Sequence, residues 1–155
     1  GVTGAHLAAM HDMDNADGGK LIGVRQEAGR HGMANPLINI TRQGRYDTDP
    51  RRRGLTRVKD RRGAGLRVGF GHDCVMDPWY RLGSHDMLEV ASMGAHVGQL
   101  TGEELRLDFY PAVSEHPAAI LGPDDDGLRP VCRPHLVVSQ PRDPPGSIRR
   151  RLWRV

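Results

Sequence analysis

The chain has 155 residues, of which 26% are charged and 5% aromatic, with a net charge of +3 and a mean hydropathy of -0.54. This length suits one domain with a real core, and no apolar run approaches the roughly 20 residues of a membrane span. Cys74 and Cys132 lie far apart, which argues against a disulfide framework and a cysteine zinc site. Because the chain opens without a basic region and an apolar signal core, we expect a cytoplasmic location.

Strands and helices are predicted to alternate along the first two thirds of the chain. In order they are a strand tail at 2–5, a helix at 20–31, a strand at 37–40, a helix capped by Thr56 that runs through Arg62, a strand at 66–71 and a helix over 86–100 capped by Ser84 or Asp86. Three strand-then-helix units imply an α/β fold with a parallel sheet. Beyond residue 101 the pattern weakens. Residues 105–121 are expected to be helical in part, broken near Pro111 and Pro117, and residues 136–138 to form a short strand.

Polar residues follow the third predicted strand directly. The apolar run 66–70 ends at Gly71, and His72 and Asp73 come next. In parallel α/β proteins, ligands bind outside the carboxyl ends of the strands. Asp73 therefore stands where a carboxylate would ligate a metal or carry a proton.

The same stretch resembles the bacterial cytosine deaminases of the amidohydrolase superfamily. Four blocks agree with that family, in the family's order: VTGAH at 2–6, ANPLINI at 34–40, QGRYDT at 43–48 with RRGLTRV at 52–58, and FGHDCVMDPWY at 70–80. A lone Gly-His-Asp would carry little information, whereas four collinear blocks are specific. The resemblance is strong over residues 1–101 and weak after them.

The resemblance implies a distorted (β/α)8 barrel with a small β-sandwich. Such a barrel takes about 250 residues, so this chain is too short to close one. We therefore expect the second half of a TIM-like barrel over residues 1–112. Residues 113–155 are expected to hold a degenerate C-terminal helix and remnants of the sandwich strands.

The implied activity is hydrolytic deamination of cytosine, or of a related amino-pyrimidine or amino-azine, by a metal-bound hydroxide. The metal would be Fe²⁺ or Zn²⁺. Asp73 matches the family's metal-ligand aspartate, which also shuttles a proton, and His6 matches the histidine that contacts the hydroxide and lies beside the substrate. Trp79 matches a tryptophan near the substrate. On pattern alone, Asp73 would be a surface or cap residue, His6 a bland polar residue and Trp79 a core residue.

Three neighbours of Asp73 complete the predicted site. His72 is expected to orient it by hydrogen bonds without ligating the metal, and Asp77, before Pro78, to fix the following turn. Cys74 stands where many family members have a second acid. Cys74 is either a substrate contact or a small buried residue. With cysteine at this position, the resemblance does not decide whether the substrate is cytosine, isocytosine, a 5-substituted cytosine or a related amino-azine.

The predicted metal ligand set is incomplete. The chain contains no His-x-His, which in the family supplies a pair of metal ligands, and a catalytic metal usually has at least three protein ligands. We therefore expect the isolated chain neither to hold the metal tightly nor to turn over. It would act only as a homo-oligomer or together with the missing first half of the barrel.

Two other functions compete with an enzyme piece. One is a non-catalytic remnant or interaction module with the same half-barrel packing. The other is nucleic-acid binding, suggested only by arginine runs at 51–53, 61–62 and 149–151. Because no aromatic residues interleave with the first two runs, we interpret the runs as solvated loop and helix-end charge.

Overall fold

A computed structural model describes residues 2–102, 109–122, 125–127, 129–137 and 144–150. Its centre is a parallel sheet of β1 (Gly4–Ala5), β2 (Gly32–Ala34) and β3 (Val68–Phe70), in the order β1-β2-β3. Gly4 pairs with Gly32, and Gly32 with Val68. The predicted α/β class and parallel sheet are thus confirmed.

Helices follow each strand. They are a 3-10 helix at Ala8–His11, α1 (Asn15–Glu27), α2 (Pro36–Arg42), α3 (Val58–Gly63), α4 (Met87–Val97), α5 (Tyr110–Val113), α6 (Glu115–Leu121) and α7 (Pro144–Arg150). Asp86 caps α4, as predicted, by accepting a hydrogen bond from the Leu88 N–H at 2.7 Å. In the described part of the chain, no helix is long and apolar enough to cross a membrane.

The described residues form two core clusters. The larger packs β2 and β3 against helices that include α2 and α4, and Met10, Ile22 and Leu66 form the smaller. Ala34 and Phe70, from β2 and β3, are almost completely buried against α4, where Val90 and Ala91 have no exposed surface. A Cβ at Gly94 would lie 2.3 Å from Phe70 Cε2. Glycine at this point therefore lets α4 approach the sheet closely.

The second strand was predicted in the wrong place. Residues 37–40 form part of α2, and β2 lies earlier, at Gly32–Ala34. Pro36 occupies the first turn of α2, where its missing N–H costs nothing because that group has no partner inside the helix. This correction places Asn35 at the C-terminal end of a strand and Asn39 one helical turn beyond it.

Other predicted boundaries shift for local reasons. The first helix begins at Asn15 instead of residue 20, because Asp14 caps it through the Asp17 N–H at 2.8 Å. Thr56 does not cap α3, since its hydroxyl faces Met10 Sδ at 3.5 Å. The break after residue 109 falls at Ser114, and Pro117 lies inside α6.

The strand predicted at 136–138 is also absent where it is described. Leu136 and Val137 are exposed and lie outside any strand, and residue 138 lies outside the described residues. The described part of 129–137 pairs with another segment only through a single bridge, Asp126 to Arg133. The division of the chain at residues 112 and 113 stays a prediction.

Candidate active site

Three loops bring polar side chains to one edge of the sheet. His6 directly follows β1, Asn35 directly follows β2, and His72 and Asp73 follow β3 after Gly71. Because the strands are parallel, their C-terminal ends meet at the same edge. Residues far apart in the sequence therefore converge there.

His6 and Asp73 form the centre of this group. His6 Nε2 lies 3.6 Å from Asp73 Oδ2, and their side chains are 44% and 32% exposed. Both backbones are in the left-handed region, with φ of 60° and 65°. Histidine and aspartate are among the non-glycine residues that adopt it most often, at a cost of about 1–3 kcal/mol each. Such strain is typical of positions that the surrounding fold holds for a function.

Two buried amides contact the other side of the His6 ring. Asn39 Nδ2 lies 3.2 Å from His6 Nδ1, and Asn35 Nδ2 lies 3.3 Å from the same atom. Both asparagines are less than a tenth exposed. The Asn35 backbone N–H also donates to Asn39 Oδ1 at 3.2 Å. The first turn of α2 is thus built around His6.

Gly71 lets β3 come close to Asn35. A Cβ at this position would lie 2.6 Å from Asn35 Oδ1. The Gly71 N–H donates to the Ala34 carbonyl at 2.9 Å, which continues the sheet pairing one residue beyond the strand. Gly71 therefore permits the approach that brings Asp73 next to His6.

The turn after Asp73 is held by Asp77. Its Oδ1 accepts from the backbone N–H groups of Trp79 and Tyr80, each at 2.9 Å. These bonds, that of Tyr80 first, lower the pKa of Asp77 below its ordinary value. Asp77 is thus a carboxylate at neutral pH and fixes the path of the chain after Cys74.

Cys74 faces that carboxylate. Burial, followed by a hydrogen bond to Asp77 and the charge of Asp73, raises the pKa of the Cys74 thiol to about 11. The thiol is therefore neutral at physiological pH, and it is not an activated nucleophile.

Trp79 is at the surface, with 64% of the residue exposed. The guanidinium carbon of Arg42, at the end of α2, lies 5.3 Å from the centre of a Trp79 ring. This is cation–π distance. The alternative that Trp79 is a core residue is wrong, and its ring is accessible to solvent.

His72 is buried behind the site. Its Nε2 accepts from the His85 backbone N–H at 3.0 Å, which puts the proton of the neutral ring on Nδ1. Nδ1 has no hydrogen-bond partner among the described residues. His72 thus links the loop before α4 to the residue next to Asp73, and it does not face His6.

The residues that converge here do not make a complete metal site. Within the described ranges, no three His, Cys, Asp or Glu side chains are grouped closely enough to hold a metal ion. Asp73 is a suitable oxygen ligand, but catalytic zinc sites have three protein ligands. A metal at Asp73 would need further ligands from outside the described part of this chain.

The site is also open to solvent. A cavity of about 920 Å³ lies between α4, α5 and residues 126–127 and 134–137, and it is not lined by His6 or Asp73. With 44% of the His6 side chain and 32% of the Asp73 side chain exposed, the pair is accessible to solvent in the described part of the chain.

The sequence does not predict Asn35 and Asn39 as site residues. The signal that they share a face was present, because residues four apart are neighbours on a helix. It was hidden by the prediction of a strand at 37–40, which separates residues 35 and 39 by two pleats. Arg42 above Trp79 had no sequence signal.

Comparison with known proteins identifies the family. The model of the amidohydrolase family matches residues 2–144. The chain belongs to the amidohydrolase family. A pterin deaminase of Rhizobium rhizogenes is 30% identical over 128 residues, which cover 81% of this chain and 29% of the relative. The predicted resemblance to cytosine-deaminase-like amidohydrolases is confirmed.

Solved structures agree on the fold. The 5-methylcytosine deaminase of Klebsiella pneumoniae, bound to 5-fluorocytosine, superposes with a TM-score of 0.91 and 32% identity over 98% of this chain. An N-isopropylammelide isopropylaminohydrolase from Burkholderia multivorans superposes with a TM-score of 0.80 at 24% identity, which concerns the fold alone. The chain covers 37% and 36% of these two proteins. It is therefore a partial amidohydrolase barrel.

Proposed function

We propose that this chain carries the Asp73 side of a deaminase site that hydrolyses the exocyclic C–N bond of cytosine or a related amino-pyrimidine or amino-azine. The observation that supports this most is the His6–Asp73 pair, 3.6 Å apart at the carboxyl ends of parallel strands. Membership of the amidohydrolase family, whose relatives here include two deaminases, points to the same class of C–N hydrolysis.

The proposed roles follow from where the groups lie. Asp73, a partly exposed carboxylate, would be the one metal ligand from this chain and would carry a proton between the attacking water and the departing ammonia. His6 would donate a hydrogen bond at the reacting centre, and Trp79 would stack on the flat base. A divalent ion, Fe²⁺ or Zn²⁺, would supply the acidity that turns water into a nucleophile near neutral pH.

Cys74 would help to select the base. Its neutral thiol is engaged with Asp77, so it would offer the substrate neither a negative charge nor a strong acceptor. A substrate that needs a second carboxylate at this position would bind poorly. This is why cytosine and isocytosine are both tested below.

We expect the isolated chain to be inactive. The described residues supply one good metal ligand, and a half barrel exposes unpaired strand edges that favour association. We therefore expect either self-association or a complementary polypeptide to precede turnover. A non-catalytic remnant or interaction module with the same packing is the alternative, favoured by the open site. A cytoplasmic location stays a prediction.

A chimera tests the proposal. This chain would replace the matching 37% of the Klebsiella pneumoniae 5-methylcytosine deaminase, and ammonia release from cytosine and isocytosine would be measured with Fe(II) or Zn(II). We expect turnover that is lost in Asp73→Asn and kept in Asp49→Asn, a surface control whose side chain is 96% exposed. A folded chimera without activity toward either base would contradict the proposal and favour the non-catalytic alternative.

A further inference from the structure

The amide of Asn39 has only one orientation that suits both of its neighbours. Its Oδ1 accepts from the Asn35 backbone N–H at 3.2 Å, and this N–H can only donate. The amide nitrogen is thereby turned toward His6, where Nδ2 lies 3.2 Å from Nδ1. Asn39 is therefore fixed as a donor to the ring.

A donor at Nδ1 decides where the ring carries its proton. In a neutral imidazole one nitrogen donates and the other accepts. Since Asn39 donates to Nδ1, the proton lies on Nε2, which is the atom 3.6 Å from Asp73 Oδ2. The other tautomer would set two N–H groups against each other at Nδ1 and a lone pair against a carboxylate at Nε2.

Asn35 does not select between the two neutral tautomers of His6. Its Nδ2 lies 3.3 Å from His6 Nδ1 and 3.4 Å from Nε2, so it favours neither nitrogen clearly. Its Oδ1 lies beside Gly71, where an added Cβ would be only 2.6 Å away. The selection between tautomers thus depends on Asn39, which contacts Nδ1 alone.

We propose that Asn39 is a positioning residue that fixes His6 as the Nε2–H tautomer, so that an N–H group, and not a lone pair, faces Asp73. This inference rests on the proposed function for its catalytic meaning. It deepens that function by adding Asn39 as the residue that orients the proton of His6 toward the reacting centre.

The inference can be tested without turnover, by ¹⁵N NMR of the histidine rings of the full chain in solution or under magic-angle spinning. The His6 signals are identified by their loss in His6→Gln. We expect an unprotonated Nδ1 and a protonated Nε2 for the neutral ring of the unmodified chain. In Asn39→Asp, the carboxylate keeps the bond from the Asn35 N–H but accepts from the ring, so Nδ1 should become protonated.

Two further variants keep the result interpretable. Asn15→Asp makes the same chemical change at an exposed helix start and should leave the His6 signals unchanged. Asn39→Ala, used if Asn39→Asp fails to fold, removes the donor and should give shifts averaged between the two tautomers. Protonation of Nδ1 in the unmodified chain, or an unchanged Nε2–H tautomer in both Asn39 variants, would overturn the inference.

The NMR experiment tests the role of Asn39 and the chimera assay tests the deaminase activity, so either proposal can be rejected without the other. The Nε2–H tautomer in an inactive chimera would preserve the role of Asn39 and reject the deaminase. An active chimera with the Nδ1–H tautomer would do the reverse. A purely structural Asn39 would change stability without moving the proton of His6.

Discussion

Arg61 is fully buried, and no carboxylate of the described residues balances its charge. It was predicted as solvated charge in an arginine run, and that prediction is wrong, because its exposed fraction is 0%. Nη1 faces Met10 Sδ at 3.8 Å, and Nε and Nη2 have no hydrogen-bond partner among the described residues. A buried charge in this state is destabilising, since it has lost water and gained little in return.

The magnitude follows from the proton equilibrium. Burial, followed by the charge of Arg25, lowers the pKa of Arg61 from 12.5 to about 10. Since one pKa unit corresponds to 1.36 kcal/mol, the lowered pKa means that the folded protein disfavours the charged form of Arg61 by roughly 3 kcal/mol. Arg61→Met keeps an unbranched, mostly apolar side chain and removes the charge. Allowing for the space left by the guanidinium, we expect the free energy of unfolding to rise by about 1–3 kcal/mol.

Urea unfolding followed by circular dichroism measures this directly, with Arg45→Met as the matched control. Arg45 is exposed, so its substitution should change the free energy of unfolding by no more than about 0.5 kcal/mol. Arg61 binds its proton more tightly in the unfolded chain than in the folded protein. The free energy of unfolding of the unmodified protein should therefore rise as the pH rises through about 10. Arg61→Met should lack this gain. If Arg61→Met lowered the free energy of unfolding by more than about 1 kcal/mol at neutral pH, the interpretation of Arg61 as an uncompensated buried charge would be refuted.

Two further predictions concern the packing and the turn beside the site. Gly94→Ala would press a methyl group to 2.3 Å from Phe70 Cε2 and should lower the free energy of unfolding by about 1–3 kcal/mol. In the control Gly19→Ala, the added methyl group would meet nothing within 4 Å, so the free energy of unfolding should rise by about 0.5–1 kcal/mol. If the two variants had equal effects in urea unfolding, the close packing of α4 on Phe70 would be contradicted. Since the pKa of Asp77 is lowered in the folded state, its contribution is present above its ordinary value of 3.8 and is lost as the pH falls through the lower folded value. Asp77→Asn should therefore flatten the acid side of a plot of melting temperature against pH, and an unchanged acid side would contradict the hydrogen bonds assigned to Asp77.

The parts of the fold that the sequence predicted are those with clear local signals. β3 lies at the end of an apolar run that stops at Gly71, and α4 has an apolar face and an N-terminal cap at Asp86. β2 carries no such signal, since Gly-Met-Ala has neither β-branched nor aromatic residues. The run at 37–40, with two isoleucines, has the composition of a strand, but it follows Pro36 in the first turn of α2 and is helical.

The candidate site was predictable as far as the family blocks reach. His6 and Asp73 were chosen from separate blocks, and parallel pairing brings them together. The contacts of Asn35 and Asn39 depended on α2 being a helix, and the burial of Arg61 depended on how α3 packs under the sheet. The first was obscured by the strand-like composition of residues 37–40, and the second arises from tertiary packing.

We expect Asp73 to hold a metal beside His6 once the barrel is complete. The metal content of the purified chimera tests this, after loading with Fe(II) or Zn(II) and removal of excess ion, by comparison between the unmodified chimera and Asp73→Asn. We expect about one tightly held ion per chain, lost in Asp73→Asn and kept in Asp49→Asn. Equal metal content in a folded Asp73→Asn chimera would contradict it.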